Sequence, residues 1–182
     1  MSIYLKCIPN KYYSSIDKID YEQLKNKNIK VLIFDLDNTL IDYDIKVIPN
    51  ETIYFLKELE KDFKVVILSN SKKKRVGLAV GSNFKYFSFA KKPLKFGFKK
   101  VKKHFNLEKE EIAIIGDQLV TDILGGNRFG IKTILVDPID KNTEKISTKI
   151  NRRIEKFFVK KIVKKVPLEK REVLKDYVQK YY

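Results

Sequence analysis

Residues 31–40 read VLIFDLDNTL, and this stretch decides the fold. Its first four residues are apolar, and such a run predicts a strand buried on both faces, as in a parallel sheet. Asp35 and Asp37 follow at the point where the apolar run ends. Because ligands of open α/β sheets bind beyond the carboxyl ends of the strands, we expect both carboxylates to enter a site. Turn formation is the alternative, since Asp and Asn bond their own backbone where a chain leaves a strand.

Beyond this strand, the chain alternates short apolar runs with segments of helical spacing. Four more runs predict strands. Strands that alternate with helices form βαβ units, so we predict an α/β fold: a doubly wound, Rossmann-like parallel sheet of about five strands with helices on both faces. The four further runs are residues 64–68, 86–90, 112–115 and 133–136.

The 182 residues fit one domain with a small appendage. We expect a helical arm over residues 1–30, an α/β core over residues 31–140, and a basic amphipathic helical tail over residues 141–182, packed on or near the core. The spans 42–64 and 70–92 each have room for about one helix, which is too little for a cap domain over the site.

The sequence of the tail predicts strongly cationic amphipathic helices. Lys and Arg fill the positions between apolar residues over 141–166, and Pro167 ends the first helix. In one interpretation the apolar stripe packs on the core and the lysines are solvated. In the other, the helix lies on an acidic membrane, where each Lys or Arg contributes about 1 kcal/mol, and the two can coexist. The stripe comprises Ile146, Ile150, Ile154, Phe157, Phe158 and Ile162.

The composition of the chain indicates which kind of partner it binds and in which cell compartment it works. The formal net charge of +16 indicates an anionic partner, such as a phosphate ester, nucleic acid or an acidic membrane surface. Cys7 is the single cysteine, so no internal disulfide forms and a reducing compartment is expected. The first residues lack the apolar core of a signal peptide, and no apolar run approaches the roughly twenty residues of a membrane span. We therefore expect a cytoplasmic protein that can associate peripherally with the inner face of the membrane.

Polar side chains follow the predicted strands at four places. In a parallel sheet these places meet at one edge, although they are far apart along the chain. The combination suits phosphoryl transfer: one carboxylate can attack phosphorus, another can move protons, and oxygen ligands can hold Mg²⁺. Ser and Lys can bind phosphoryl oxygens, although singly a strand-end Ser is usually a turn residue and a Lys before Pro is usually solvated. The groups are Asp35 with Asp37, Ser69 with Asn70, Lys92, and Asp117 with Asp122.

These four places resemble the motifs of the haloacid dehalogenase (HAD) superfamily of phosphohydrolases. Residues 35–39 read DLDNT, SN follows a strand at 69–70, KP stands at 92–93, and residues 116–122 read GDQLVTD. The resemblance implies that Asp35 is a nucleophile that forms an aspartyl-phosphate and that Asp37 is the general acid and base. It further implies phosphoryl binding by Ser69, Asn70 and Lys92, Mg²⁺ ligation by Asp35, Asp117 and the Asp37 carbonyl, and orientation of the metal waters or of Lys92 by Asp122.

Three other polar residues have weaker signals. Thr39 is expected to hold the strand exit. His104 is expected to have a surface or packing role on a basic helix, and Arg128 either caps a helix or contacts substrate.

A finer resemblance is to the YqeG-type branch (subfamily IIIA), which is similar to mitochondrial and plastid phosphatidylglycerophosphate phosphatases. The residues that carry it are 35–40, 116–119, 121–128 and 151–155. The sequence VGSN at 80–83 departs from the pattern of this branch, in which a helix would be expected to continue through these residues. The resemblance implies a Mg²⁺-dependent phosphatase for phosphatidylglycerophosphate, an anionic phospholipid. Two alternatives stay open: a phosphatase for nucleic-acid ends or phosphoproteins, and a nucleic-acid-binding protein on a phosphatase scaffold.

Overall fold

The computed structural model of the chain describes residues 2–182. Over this range six parallel strands form one sheet, which confirms the predicted doubly wound α/β fold. The strands are β1 (Lys11–Tyr13), β2 (Val31–Phe34), β3 (Lys64–Leu68), β4 (Lys85–Phe87), β5 (Ile112–Gly116) and β6 (Lys132–Val136). Their order across the sheet is β1-β6-β5-β2-β3-β4.

Helices cover both faces of the sheet. They are α1 (Tyr21–Asn26), α2 (Asn50–Leu59), α3 (Lys73–Val80), α4 (Phe96–Phe105), α5 (Leu124–Phe129), α6 (Ile146–Lys165), α7 (Leu168–Arg171) and α8 (Lys175–Tyr181). Alternate residues of β2 point to opposite faces, as the period of a strand requires. Leu32 and Phe34 therefore pack in one core with residues of α1, α2 and α3, while Val31 and Ile33 pack in another with residues of α4 and α5.

Strand register brings the predicted site residues to one edge. Phe34, the last residue of β2, pairs with Ile67 of β3 and with Ile115 of β5. These three strands therefore end at nearly the same level, and the polar residues that follow them meet at the carboxyl edge of the sheet.

The sixth strand comes from the segment for which the sequence predicted a helical arm. Lys11–Tyr13 pairs in parallel with residues 134–136 of β6 and forms one edge of the sheet. A strand of three residues is too short to show a two-residue period, so the pattern gave no signal for it. The division into arm, core and tail stays a prediction.

Residues 80–83, where the sequence departs from the pattern of the YqeG-type branch, form the end of a helix. Helix α3 stops at Val80, and Gly81 has a φ of +58°, a region that favours glycine over other residues. The chain then turns into β4 instead of continuing the helix.

The tail packs on the core through only part of its apolar stripe. Ile162 is buried and Phe158 is half-buried, in a core cluster that includes Leu135 of β6. The other four residues of the stripe are exposed, because the first half of α6 buries a polar side, with Thr148 and Glu155, instead. Among residues 2–182, no helix combines the length and the apolar character that crossing a membrane requires.

Candidate active site

Three buried carboxylates gather at the carboxyl edge of the sheet. Asp35 directly follows β2, Asp117 directly follows β5, and Asp122 lies in the π-helical turn Leu119–Ile123. One oxygen from each carboxylate lies within 4.8 Å of the others. The close approach of the Asp122 side chain to the backbone of β5 depends on Gly116, where a Cβ atom would collide with that side chain. A set of oxygen ligands of this kind suits a hard divalent cation such as Mg²⁺.

Lys92 joins two of these carboxylates. Its buried Nζ donates to Oδ1 of Asp35 at 2.7 Å and to Oδ1 of Asp122 at 2.6 Å. Asn70 fixes the Lys92 backbone, because its side chain accepts from Lys92 N at 2.8 Å and donates to Lys92 O at 3.0 Å. Ser69 precedes Asn70 and is itself buried. The structure therefore brings these three predicted residues to the carboxylates.

Asp122 has both of its oxygens engaged. Oδ1 accepts from Lys92, and Oδ2 accepts from Gln118 N at 3.2 Å and from the Thr121 hydroxyl at 3.1 Å. This arrangement orients Asp122 toward Lys92, in agreement with a supporting role for this carboxylate.

Burial dominates the electrostatics of the cluster. Desolvation raises the pKa of Asp35 well above its ordinary value, and Lys92 opposes that rise. Desolvation also raises the pKa of Asp117, with the Arg152 guanidinium opposing it. For Lys92, burial alone would lower the pKa, but Asp122 and Asp35 outweigh it and the pKa is raised. A cation placed among the carboxylates would offset the same desolvation cost, so the cluster favours a bound metal ion.

Asp37 is held by a cation that the sequence analysis did not assign to the site. Arg75 donates from Nε at 3.1 Å and from Nη2 at 2.9 Å to Oδ1 of Asp37. Ser71 donates to Oδ2 at 2.6 Å. Arg75 lies in the basic run at residues 72–75, and its sequence context does not distinguish it from the neighbouring lysines.

The tail supplies a second cation, the partly buried Arg152. Arg152 of α6 donates to the carbonyl of Asp117 at 2.9 Å and contacts its carboxylate, and it also bonds Glu144 at 2.8 Å and Glu155 at 3.0 Å. Thr39 donates to the other oxygen of Asp117 at 3.1 Å. The sequence analysis did not assign Arg152, although Glu144 and Glu155 were a signal: they are acids in an otherwise basic stretch of the tail.

A cavity of about 220 Å³ opens beside these groups. Asp117, Asp122 and Thr39 do not line it, because they lie in the buried network behind the lining residues. The tail contributes part of the wall, so the cavity belongs to both the core and α6. Its lining includes the predicted Asp35, Asp37, Ser69, Asn70 and Lys92, and also Tyr43, Gln118, Lys145, Ser147, Thr148 and Asn151.

Two residues with weak sequence signals lie outside the cavity lining. The ring of His104 packs edge-on against Phe87 and Phe105, with centroids 5.7 Å and 4.7 Å apart. Arg128 lies in the last turn of α5. Its neighbour Asn127 donates to the carbonyls of Lys6 and Ile8, which ties the first residues of the chain to α5.

The chain is similar in sequence to known phosphatases. The family model described as mitochondrial PGP phosphatase matches residues 3–140. The probable phosphatase YqeG of Bacillus subtilis is 39% identical over 153 residues, covering 82% of this chain and 87% of that protein. Phosphatidylglycerophosphate phosphatase 1, chloroplastic/mitochondrial, of Arabidopsis thaliana is 29% identical over 188 residues, covering 87% of this chain but only 49% of that protein.

Solved structures share the fold. A protein from Porphyromonas gingivalis, described as a predicted HAD-like family hydrolase, aligns with a TM-score of 0.51 and 16% identity, covering 70% of this chain and 98% of that one. An uncharacterized protein from Listeria monocytogenes serotype 4b aligns with a TM-score of 0.51 and 17% identity, covering 72% and 99%. The family model and the Bacillus subtilis relative show that the chain belongs to the mitochondrial PGP phosphatase family, with the YqeG-type proteins, and is a phosphatase of phosphoric monoesters; its fold is that of a HAD-like hydrolase.

Proposed function

We propose that this phosphatase is Mg²⁺-dependent, works through an aspartyl-phosphate on Asp35, and hydrolyses phosphatidylglycerophosphate at a membrane surface. The observation that carries the proposal is the buried cluster of Asp35, Asp117 and Asp122 around Lys92, beside a cavity that Asp37 and Ser69 also line. Asp35 and Asp117, with the Asp37 carbonyl, would hold Mg²⁺. The ion would neutralise the substrate's phosphoryl oxygens.

The residues divide the reaction into two displacements. The carboxylate of Asp35 attacks phosphorus, and the ester oxygen leaves with a proton given by Asp37. Asp37 then takes a proton from water, whose oxygen attacks the same phosphorus and returns Asp35 as a free carboxylate with inorganic phosphate as product. Lys92 bonds only Oδ1 of Asp35, which leaves the other carboxylate oxygen for the attack.

Ser69, Asn70 and Lys92 would bind the phosphoryl oxygens. Lys92 supplies a positive charge, and the Ser69 hydroxyl can donate a hydrogen bond. Asn70 acts mainly by fixing the Lys92 backbone, through its two hydrogen bonds to that residue. Asp122 orients Lys92, and Thr39 orients Asp117.

Two features support a lipid substrate. The span 42–64 contains the helix α2, and the span 70–92 contains the helix α3 and the strand β4. Neither span therefore contains a cap domain that could cover the cavity. Relatives in the same family carry the name phosphatidylglycerophosphate phosphatase. The enzyme would be cytoplasmic, and the Lys and Arg residues of 141–166 would hold it peripherally on the inner face of an acidic membrane.

A substrate panel tests the proposal. Phosphatidylglycerophosphate in mixed micelles, an oligonucleotide with a terminal phosphate, and a phosphopeptide are compared at one ionic strength, with Mg²⁺ and with a chelator. We expect the lipid to have the highest kcat/KM and release of phosphate to require Mg²⁺. A higher kcat/KM for the oligonucleotide or the phosphopeptide would contradict the lipid substrate and assign the preferred compound's class in its place. Salt-dependent nucleic-acid binding without phosphate release would indicate a binding protein on a phosphatase scaffold.

A further inference from the structure

The first half of α6 carries an apolar ridge that is open to solvent in the structure of residues 2–182. Ile146 is 79% exposed, Ile150 is 49% exposed, Ile154 is 39% exposed and Phe157 is 53% exposed. These four residues recur at steps of four and three, so they lie along one side of the helix. We call them the α6 ridge. The buried side of α6 is a different one, formed by Thr148, Glu155, Val159 and Ile162.

Exposed cations run beside the ridge. They follow one another at the same steps of four and three residues, so they form a parallel row on the helix surface. The acid within this stretch, Glu155, lies on the buried side and does not interrupt the row. The row comprises Lys149, Arg153, Lys156 and Lys160. Exposed apolar side chains next to a row of cations are typical of a helix that lies in the plane of an anionic membrane.

The ridge borders the cavity. Ser147 and Asn151 line the cavity, and each directly follows a ridge residue in the sequence. From the other half of the sheet, the loop after β4 brings Lys92 into the same lining. This loop and the first residue of α4 also carry apolar side chains that are about half exposed: Phe89 and Leu94 in the loop, and Phe96 at the start of α4. Apolar residues are therefore exposed on two segments that both reach the cavity.

We infer that the α6 ridge and the apolar side chains of the loop at 89–96 form a docking surface for an anionic lipid bilayer, which holds the cavity mouth against the headgroups. The inference deepens the proposed function and rests on it for the identity of the substrate. Charge complementarity selects this occupant, because an acidic membrane attracts the cation row. A second copy docked ridge to ridge would bring two such rows together and be repelled.

The surface is tested by co-sedimentation with vesicles of phosphatidylcholine alone and of phosphatidylcholine mixed with phosphatidylglycerol. The variants are Ile146→Ser, Phe157→Ser and the double variant Ile146→Ser with Ile150→Ser. We expect wild type to bind the acidic vesicles more tightly, and the double variant to bind them about tenfold less tightly. Each single variant should show a smaller loss, and all should keep the thermal midpoint of wild type because the replaced side chains are exposed.

Tyr54→Ser is the matched control. Tyr54 is 69% exposed on α2, a helix whose Leu56 packs in the core on the opposite face of the sheet from Leu135 and α6. This variant should bind acidic vesicles like wild type. Equal loss in the control and the ridge variants would show that exposed apolar area in general, and not this surface, drives binding.

Three further outcomes would overturn the inference. They are no binding of wild type to acidic vesicles, unchanged binding of the ridge variants, and a dimer in solution that the ridge variants convert to monomer, which would assign the ridge to a second copy. These vesicles contain no phosphomonoester, so binding is measured without turnover. Ridge-dependent binding by an enzyme that does not hydrolyse phosphatidylglycerophosphate would contradict the proposed substrate and leave the docking surface intact.

Discussion

The site contains two cations, the buried Lys92 and the partly buried Arg152, that differ in origin and position. Lys92 comes from the core, joins Asp35 to Asp122 and lines the cavity. Arg152 comes from the tail, bonds Asp117 and two acids of the tail, and lies outside the cavity lining. The difference indicates that Lys92 can meet the substrate, whereas Arg152 can act only through Asp117. It also makes the tail helix part of the active site.

Replacing Lys92 should have the largest effect. Lys92→Gln removes the charge that faces Asp35, the proposed nucleophile, and the proposed phosphoryl site, and it leaves two buried carboxylates without a cation. We expect kcat to fall at least about a hundredfold and the free energy of unfolding to fall by about 3 kcal/mol. Steady-state kinetics and denaturant unfolding measure these. Lys95→Gln, an exposed position nearby, should behave as wild type, and equal activity of the two variants would exclude Lys92 from the reaction.

Replacing Arg152 should separate stability from chemistry. Arg152→Gln leaves Asp117, Glu144 and Glu155 without their shared guanidinium, so we expect a loss of about 3 kcal/mol in the free energy of unfolding. The loss in kcat should be smaller than for Lys92→Gln, since Arg152 does not line the cavity. The Mg²⁺ concentration for half-maximal activity should change, because Asp117 loses its partner. The matched control is Arg153→Gln, whose side chain is exposed, and a similar loss there would contradict a special role for Arg152.

The Glu155 carboxyl should give stability a pH dependence. Burial raises its pKa from 4.5 to about 7, with Arg152 opposing the rise. The folded protein therefore holds this proton at pH values where the unfolded chain has lost it. The stabilisation is complete below pH 4.5 and is lost as the pH rises through about 7.

Unfolding measured across this range should thus show a fall in wild type that is smaller in Glu155→Gln by on the order of 2 kcal/mol; some fall remains, because the raised pKa values of Asp35 and Asp117 act in both proteins. Glutamine keeps one oxygen, which can accept from Val120 N as Oε1 of Glu155 does, and it replaces Oε2, which accepts from Arg152, by an amide group. The exposed Glu169→Gln should keep the wild-type slope. Parallel slopes for wild type and Glu155→Gln would mean that Glu155 is charged throughout.

The smallest expected effect is at Thr39. Thr39→Val removes the hydroxyl that donates to Asp117 at 3.1 Å and leaves a side chain of similar shape. We expect a loss of about 1 kcal/mol in the free energy of unfolding. Thr39→Ser keeps a hydroxyl and should recover most of it. If Val and Ser cost the same, the methyl group and not the hydrogen bond stabilises this position.

The fold could be predicted because its signals are local and repeated. Each central strand is a continuous apolar run followed by polar residues, and parallel strands bring those residues together. The edge strand β1 has three residues and no such run, so the pattern missed it. Arg75 and Arg152 were missed for another reason. Both lie among many cations, and burial against Asp37 or Asp117 depends on contacts between distant segments that no local pattern records.

The amphipathic tail shows the same limit. Its apolar stripe has the spacing of a buried helix face, yet only its last two residues, Phe158 and Ile162, are covered. Over the first half of α6, Thr148 and Glu155 are buried because the Tyr43 hydroxyl bonds Thr148 and the Val120 backbone N–H bonds Glu155. Polar partners from other segments thus determine which side of α6 is buried, and they leave Ile146 and Ile150 exposed. The spacing of the apolar residues alone could not reveal this orientation.

The central claim is that Asp35 attacks phosphorus, and the most direct measurement is the site of phosphorylation during turnover. The enzyme is acid-quenched while hydrolysing phosphatidylglycerophosphate with Mg²⁺, and its peptides are mapped by mass spectrometry. The account predicts one added phosphoryl group on Asp35, its absence when Mg²⁺ is chelated, and no turnover by Asp35→Asn that retains the wild-type fold. A phosphoryl group on another residue, or turnover by Asp35→Asn near the wild-type rate, would contradict it.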